Sequence, residues 1–318
     1  MRVIYLCTDT DRPSGGHQVI HSHVEILRDM GIDAWVYRVD SGVNGPPYYR
    51  RGYDLTSLEV RVRQDFLVLP EKFVPWANSK SLMGRVQYAI YIQNPYLSMR
   101  DWLSNAHLSR RIYGAANRLI YVSEYTREFC KALGFSHVSE HMVYPLVEVT
   151  KPQVEVPREK AFAFMPRKLP EHARIVIQWI RDQYPDWKVF EIDGMRHEDV
   201  LETLRRTSIF LSFSHAEGVG LPPVEAALCG CQVVGYKGGA GADFFESPIF
   251  YAVEEGNYLE YFQQIQSAIA SFSASDQTAR AQVIQNLSNR FSRDSIRTQL
   301  QSCFQDLNID SRPVNASN

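Results

Sequence analysis

The chain has 318 residues, 45% of them hydrophobic, which is enough for two hydrophobic cores of ordinary domain size. Its 34 basic and 36 acidic side chains leave a net charge of −2, which argues against a nucleic-acid-binding protein. Five cysteines form no C-x-x-C pair, and their odd number argues against a disulfide framework. No apolar run approaches membrane-spanning length, and Asp9 and Asp11 follow the first apolar run too soon for a signal peptide. We therefore expect a protein of the reducing cytoplasm.

The first half of the chain alternates short apolar runs with amphipathic segments. Val3 to Cys7 predicts a strand, His17 to Met30 has the apolar spacing of a helix, and Ile32 to Val39 predicts the next strand. This strand–helix–strand order is typical of a parallel, doubly wound sheet. A loop rich in glycine, proline and tyrosine is expected from Ser41 to Arg51. Further strands are predicted over Phe66–Leu69, Tyr88–Ile92 and Leu119–Val122.

A second alternating unit follows a predicted linker from Lys151 to Lys160, where two prolines stand among charges. Strands are predicted over Ala161–Met165, Trp187–Ile192, Ile209–Phe213, Val233–Tyr236 and Ile249–Val253. Helices are predicted over Glu171–Gln183 and His197–Arg206, from about Asn257, and as a pair from Asp276 onward. The polar residues Ser311 to Asn318 have the composition of a frayed tail. We therefore predict two α/β domains, each with a Rossmann-like, doubly wound parallel sheet.

One stretch, from Glu217 to Gly230, combines two carboxylates with a glycine turn and a helix start between two predicted strands. Gly218 and Gly220 allow a tight turn, and the two prolines that follow suit the first turn of a helix that Gly230 ends. Ionised carboxylates accept hydrogen bonds from vicinal sugar hydroxyls, and a helix N-terminus binds anions. The stretch therefore predicts a site for a ligand rich in hydroxyls and phosphate.

The same stretch resembles the E-x7-E signature of retaining glycosyltransferases with the GT-B fold, specifically family 4, whose usual form is E-G-F-G-L-P-x-L-E-A-M-A-C-G. Val219 replaces the usual phenylalanine, and Val224 replaces the usual leucine. The resemblance implies that Glu225 binds the ribose of a nucleotide sugar and that Glu217 approaches the donor sugar. It also implies that Gly218, Val219, Gly220 and Leu221 line the donor site.

Two cations after the first strand of the second unit extend the resemblance. Arg167 matches an arginine of the family, whereas the lysine that usually follows five residues later is replaced by His172. Lys168 stands next to Arg167 and is our candidate substitute. Fixed cations at this sheet edge would stabilise the negative charge that develops on a leaving nucleoside diphosphate. The alternative for this pair is a solvated end of a strand.

Two features of the first unit are further candidates. Gly15 and Gly16 lie between the first strand and its helix, where the family carries a glycine-rich loop that approaches the donor. Gln93 follows the strand Tyr88–Ile92 at a place where many family members have a histidine. A glutamine can hydrogen-bond a sugar hydroxyl but cannot act as a general base, which fits a retaining mechanism in which the departing phosphate takes the proton. An Asn-Pro turn that opens a loop is the alternative at this place.

Other segments favour structural interpretations. The metal-site pattern of Asp9 and Asp11 belongs to a different glycosyltransferase fold, so we expect turn chemistry and no metal. Ser123 is expected to cap a helix, and Lys237 to Gly241 to form a flexible loop. Three arginines with interleaved apolar residues predict either a solvated helix or a basic amphipathic surface for peripheral membrane contact. These residues are Arg110, Arg111 and Arg118 with Trp102, Leu103 and Ile112.

Taken with the resemblance, these observations predict a retaining, metal-independent glycosyltransferase of the GT-B fold. Its acceptor-side domain would span residues 1–150 and its nucleotide-sugar domain residues 151–290, with a C-terminal helix and tail over 291–318 that returns toward the first domain. The two domains would meet at a cleft, and no cofactor is expected beyond the nucleotide-sugar substrate. The acceptor and the oligomeric state stay open. A sugar-nucleotide epimerase, or a non-catalytic binding or assembly partner on the same fold, is the alternative.

Overall fold

The structure of the chain is a computed structural model. It describes residues 1–8, 14–39, 52–55, 57–79, 85–137, 139–149, 157–274, 277–305 and 307. The predicted Asp9–Asp11 turn, the loop Ser41–Arg51, most of the linker after Lys151 and the tail Ser311–Asn318 lie outside these residues. Unit 1 comprises residues 1–146 and 293–318, and unit 2 comprises residues 147–292.

Unit 1 is built on one parallel sheet of seven strands in the order β3-β2-β1-β4-β5-β6-β7. Its central strands are buried over nearly their whole length, because helices cover both faces of such a sheet. The strands are β1 Arg2–Thr8, β2 Ala34–Val39, β3 Asp54–Leu55, β4 Asp65–Pro70, β5 Gln87–Ile92, β6 Arg118–Tyr121 and β7 Glu140–Met142. The helices are α1 Gly15–Asp29, α2 Val74–Ser79, α3 Pro95–Ser104, α4 Ala106–Gly114 and α5 Glu124–Ala132, with a 3₁₀ turn over Glu71–Phe73.

Unit 2 is built on a parallel sheet of five strands in the order β12-β11-β10-β8-β9. The strands are β8 Glu159–Phe164, β9 Lys188–Glu191, β10 Thr207–Glu217, β11 Gln232–Gly239 and β12 Phe250–Val253. The helices are α6 Pro170–Gln183, α7 His197–Arg206, α8 Leu221–Leu228, α9 Tyr258–Ala274 and α10 Gln277–Arg290. The prediction of two Rossmann-like parallel-sheet domains is therefore confirmed.

A last helix, α11 Arg293–Phe304, belongs to unit 1 although it follows unit 2 in sequence. It packs on α1 and β7, and its side chains Ile296, Leu300, Cys303 and Phe304 are buried. Within the described ranges, no helix is both long enough and apolar enough to cross a membrane.

Each sheet has one place where the chain reverses its direction of travel across the sheet. In unit 1 the chain goes from β1 outward to β2 and returns on the other side of β1 as β4. In unit 2 it goes from β8 to β9 and returns on the other side of β8 as β10. Ligands of open α/β sheets bind outside the carboxyl ends of the strands at such switch points. The fold thus predicts ligand-binding residues after β1 and β4 in unit 1 and after β8 and β10 in unit 2.

The structure corrects several boundaries. The strand β10 continues through Glu217, beyond the predicted end at Phe213, and β11 continues through Gly239, where a flexible loop was expected. These two residues pair with each other beyond an irregularity in the β10–β11 register. The predicted linker ends earlier, because β8 begins at Glu159. Pro95 opens the helix α3 rather than a loop.

Candidate functional site

The switch point of the unit 2 sheet carries an ion pair between two predicted site residues. Lys168 follows β8, Glu217 ends β10, and Lys168 Nζ lies 3.0 Å from Glu217 Oε1. The two side chains are 41% and 26% exposed, so the pair is open to solvent and to a ligand. An ion pair with this exposure contributes only about 0–1 kcal/mol to folding, so its position argues more for binding than for stability.

Two backbone conformations next to this ion pair are unusual. Ala216, directly before Glu217, has φ of 51°, and Leu169, directly after Lys168, has φ of 44°. The left-handed region costs a non-glycine residue about 1–2 kcal/mol, because Cβ approaches the carbonyl oxygen. Such strain concentrates at functional sites, where the surrounding structure maintains it. Here it occurs next to both members of the ion pair, at the end of β10 and at the N-cap of α6.

The turn between Glu217 and α8 brings a helix N-terminus to the same sheet edge. Gly220 is the N-cap residue of α8 with φ of 78°, a conformation that glycine adopts without strain. Gly218 and Val219 are buried, and Leu221 is half-buried at the first helical position. As a glycine, Gly220 provides no side-chain cap for this end of α8. Its first amide groups and the helix dipole therefore suit an anion.

Glu225 lies in α8, one turn beyond these amides, and is half-buried. Burial raises the pKa of the Glu225 carboxyl above its ordinary value of 4.5, and the nearby His197 at the start of α7 opposes that rise. A carboxylate kept in partial burial gains from a ligand that supplies hydroxyl donors. His197 is not among the site residues predicted from the sequence. Its position in the first turn of the helix after β9 could have identified it in the sequence, because this turn lies at the carboxyl edge of the sheet.

The other predicted residues of unit 2 lie at the same edge with different surroundings. Arg167 is exposed. His172 stands in the first turn of α6, and its Nδ1 lies 3.1 Å from the hydroxyl of Tyr236 on β11. The ring of Tyr258 contacts the same imidazole at an interplanar angle of 54°, with ring centroids 5.4 Å apart. The position of the family's usual lysine therefore holds an imidazole that is hydrogen-bonded within the unit.

In unit 1 the structure brings together the two features that the sequence analysis selected. Gln93 follows β5, and its side-chain Nε2 donates a hydrogen bond of 3.0 Å to the carbonyl oxygen of Gly16. A Cβ atom at Gly16 would lie 3.0 Å from Gln93 Oε1, so only glycine allows this approach without displacement. Gly15 is exposed as the first residue of α1.

Polar residues at the switch point of unit 1 were missed by the sequence analysis. Lys72 Nζ donates to Thr8 Oγ1 at 2.9 Å, and Thr8 Oγ1 lies 2.9 Å from His17 Nε2. Glu71 directly follows β4 and is only 2% exposed, with its carboxyl hydrogen-bonded to the turn after β5. The rule that carboxyl ends of parallel strands share one edge applies to Glu71 as it does to Gln93, and would have identified it.

One of the arginines predicted for a basic surface that contacts a membrane does not lie on such a surface. Arg118 lies in β6 rather than on a helix, is 4% exposed, and packs over the rings of Phe66 and Phe304. Arg110 and Arg111 are exposed on α4. Ser123 is the N-cap residue of α5, where its Oγ accepts a hydrogen bond from the amide of Thr126, so the predicted structural role of Ser123 is confirmed.

Chemically, the edge of unit 2 offers a cation, two carboxylates and a helix N-terminus. The cation and the helix suit a diphosphate, and the carboxylates suit the hydroxyls of a sugar and a ribose. No group of three or more metal-ligating side chains occurs in the described part of the chain.

Comparison with known proteins agrees with the fold. An alpha-1,6-glucosyltransferase of Actinobacillus pleuropneumoniae serotype 7 (strain AP76) is 23% identical over 280 residues, 85% of this chain and 84% of that protein. The solved structure of Anabaena HepE in complex with UDP matches with a TM-score of 0.71 at 14% identity, over 96% of this chain and 100% of that chain. A second HepE structure, in complex with UDP-glucose, gives a TM-score of 0.69 at 14% identity over the same shares of both chains.

Sucrose-phosphate synthase from Thermosynechococcus elongatus gives a TM-score of 0.69 at 12% identity, over 96% of this chain and 99% of that chain. No protein-family model matches the chain. At these identities the structural likeness establishes the fold. The fold is the two-domain α/β fold of the GT-B glycosyltransferases, and this chain has both of its sheets.

Proposed function

We propose that the protein is a retaining glycosyltransferase, similar to family 4, that transfers a sugar from a nucleotide-sugar donor to a glycan, lipid or small-molecule acceptor without a metal. UDP-glucose is the donor to test first, because HepE binds UDP-glucose and the similar Actinobacillus protein is a glucosyltransferase. We infer a donor site in unit 2 and an acceptor side in unit 1.

The observation that carries the proposal is the Lys168–Glu217 pair at the switch point of the unit 2 sheet, beside the N-terminus of α8. Lys168 and Arg167 would neutralise the donor diphosphate and stabilise the charge that develops as the glycosidic bond breaks. Glu217 would accept hydrogen bonds from the donor sugar. Glu225 would bind the two ribose hydroxyls as a carboxylate acceptor.

The turn Gly218-Val219-Gly220-Leu221 would provide backbone amides for the donor sugar and phosphate. In unit 1, Gly15 and Gly16 would allow close approach of the backbone to the donor. Gln93 would orient a sugar hydroxyl without removing its proton, since an amide is not a base. The proton of the acceptor hydroxyl would then pass to the departing phosphate, which is consistent with retention.

The test compares the turnover of two variants with that of the wild type. Lys168→Met removes the cation but keeps the length of the side chain, and Lys160→Met is a matched control on the exposed start of β8. We expect Lys168→Met to lower kcat with UDP-glucose by about 100-fold, because a fixed charge at a developing anion has an effect of this order. Lys160→Met should leave kcat unchanged. Equal activity of both variants and the wild type would refute the assigned role of Lys168.

One observation favours a non-catalytic binding or assembly partner as the second candidate. Gln93 replaces a potential base, and its amide nitrogen is already engaged by Gly16. Calorimetry with UDP and transfer assays with an acceptor panel separate the cases: binding without transfer indicates the partner role. Conversion of a sugar nucleotide without any acceptor indicates an epimerase. Transfer that persists after treatment with EDTA supports the metal-independent mechanism.

A further inference from the structure

A buried carboxyl in unit 1 has partners that tie it to one candidate residue. Glu71 opens the 3₁₀ turn after β4 and is 2% exposed. Its Oε2 accepts a hydrogen bond of 2.9 Å from the amide of Gln93, and its Oε1 accepts one of 3.2 Å from the amide of Asn94. Burying a charged carboxyl is unfavourable unless hydrogen bonds compensate for the lost water. Both oxygens of Glu71 are directed to the turn that begins with Gln93.

The contacts continue from this turn to the start of α1. The Gln93 side chain donates to the carbonyl oxygen of Gly16, and a Cβ atom at Gly16 would lie 3.0 Å from Gln93 Oε1, so that the Gln93 side chain would have to shift. The backbone of the Gln93 turn is thus fixed by Glu71, and the Gln93 side chain is fixed by Gly16. The three segments follow β4, β5 and β1, which are neighbours in the sheet order.

We propose that Glu71 is a positioning residue that holds the turn of Gln93 and Asn94 through its ionised carboxyl and, through Gln93, aligns the two glycines at the start of α1. The role in transfer rests on the proposed function. Glu71 touches neither substrate in this proposal. It acts by holding the backbone of Gln93, which keeps the side-chain amide group of Gln93 in one orientation. A displacement of about 1 Å at a reacting group can cost about 100-fold in rate.

The charge state of Glu71 gives the proposal a distinct signature. Burial raises the pKa of the Glu71 carboxyl to about 7, although the amides of Gln93 and Asn94 and the neighbouring Lys72 oppose the rise. Tyr91 on β5 and Cys130 on α5 also interact with Glu71, and burial raises the pKa of both, that of Cys130 to about 12. Burial lowers the pKa of Lys72 from its ordinary value of 10.5. Among these groups, Glu71 is the one whose pKa lies at about 7.

The first measurement follows the amide resonances of Gln93 and Asn94 in the full chain by transverse-relaxation-optimised NMR between pH 5 and pH 9. A carboxylate polarises the N–H groups that it accepts, so both resonances should shift with a common midpoint near pH 7. Glu71→Gln should abolish the shift, and Glu59→Gln, an exposed glutamate of the same unit, should leave it intact. An absent shift in the wild type would overturn the proposal, whether or not the protein is an enzyme.

The second measurement separates positioning from stability. Glu71→Gln keeps the shape but places an amide group where one backbone N–H needs an acceptor, so kcat should fall about tenfold while the Kd for UDP changes less than twofold. The wild-type rate should also fall as the pH drops below 7, and this limb should be missing in Glu71→Gln.

The melting temperature controls for unfolding. When the pKa of a carboxyl is higher in the folded protein than in the unfolded chain, ionising that carboxyl destabilises the fold. The free energy of unfolding therefore falls as the pH rises from the unfolded pKa to the folded pKa, and the loss is complete above the folded pKa. Glu71→Gln should therefore melt no lower than the wild type at pH 8, so that lost activity cannot be lost structure.

A double-mutant cycle tests whether Glu71 acts through Gln93. In a Gln93→Ala background, Glu71→Gln should reduce kcat by less than twofold, because the group that it positions is gone. Additive losses would overturn the proposal. If the wild type binds UDP but transfers nothing, the proposed function fails, and the amide titration alone decides the role of Glu71.

Discussion

Glu225 combines two conditions that rarely occur together on a bare surface. Its carboxyl is half-buried, which favours the protonated form, whereas a pair of ribose hydroxyls favours the ionised form because only a carboxylate accepts both donors. In the proposed site, nucleotide binding would therefore favour the ionised form of Glu225. The proposed donor site in unit 2 should therefore depend on pH, separately from the proposed titration of Glu71 in unit 1.

We predict that UDP affinity weakens as the pH falls through the raised pKa of Glu225. In the protonated form the carboxyl keeps one good acceptor, and a hydrogen bond to a charged group contributes about 1.5–3 kcal/mol. Glu225→Gln should bind UDP at least tenfold more weakly at pH 8 and lose this pH dependence. Titration calorimetry at several pH values measures both effects. Glu198→Gln, an exposed glutamate of α7, is the control, and an unchanged Kd in Glu225→Gln would exclude contact with the ribose.

At the scale of elements, the end of β10 is the part that serves the site. The strand continues past an irregular register to pair Glu217 with Gly239, and Ala216 takes the left-handed conformation just before it. A regular strand would alternate its side chains, so this backbone change re-aims the Glu217 side chain. The strain at Ala216 is therefore linked to the orientation of a proposed donor-binding carboxylate.

Replacement of Ala216 by glycine should show whether the strained backbone at this residue affects stability and activity in opposite directions. Ala216→Gly removes the steric conflict at positive φ but adds unfolded-chain entropy, so the free energy of unfolding should rise only slightly, by about 0.5 kcal/mol. We expect kcat to fall about fivefold, because a glycine next to Glu217 loosens its position. Ala270→Gly, exposed within α9, should instead cost about 1 kcal/mol. Urea denaturation and steady-state rates test both, and a loss of stability in Ala216→Gly would contradict the strain argument.

The sequence predicts the elements well where one periodicity dominates. The helix His197–Arg206 and the strands around Val3, Tyr88 and Leu119 agree with the structure within one or two residues. The helix has apolar residues spaced for one buried face, and the strands are short continuous apolar runs that are buried on both faces. Prediction failed at the ends of β10 and β11, where glycines and polar residues form strand through pairing with each other. Such pairing depends on a neighbouring strand, which local composition does not contain.

At the scale of the whole molecule, the stretch from Glu217 to Glu225 could be found in the sequence, but the residues that contact it could not. Glu217 and Glu225 belong to one short stretch, whereas Lys168 reaches Glu217 only because β10 returns beside β8. Glu71 meets the Gln93 turn for the same reason, since β4 and β5 are neighbours. Strand order is decided by packing over the entire sheet. The type of each candidate residue was therefore predictable, and its contacts were not.

The discontinuous unit 1 yields the last prediction, because its sheet depends on a helix from the far end of the chain. Phe304 of α11 packs edge-on against Phe66 of β4, and the guanidinium of Arg118 lies over both rings. Removing a buried aromatic side chain leaves a cavity and costs about 3–5 kcal/mol, so Phe304→Ala should strongly destabilise unit 1. Arg293→Gln breaks exposed ion pairs with Glu25 and Asp29 and should cost less than about 1 kcal/mol.

Hydrogen exchange followed by mass spectrometry resolves where this loss occurs. Peptides from β1 and β4 should exchange faster in Phe304→Ala, because local opening follows the stability of the unit that contains them. Peptides from β8 and β10 should keep the wild-type rate, since unit 2 has its own sheet and core. Arg293→Gln should change neither set by more than about threefold. Equal acceleration in both units of Phe304→Ala would mean that the chain unfolds as one cooperative body, and α11 would then stabilise the whole molecule rather than unit 1.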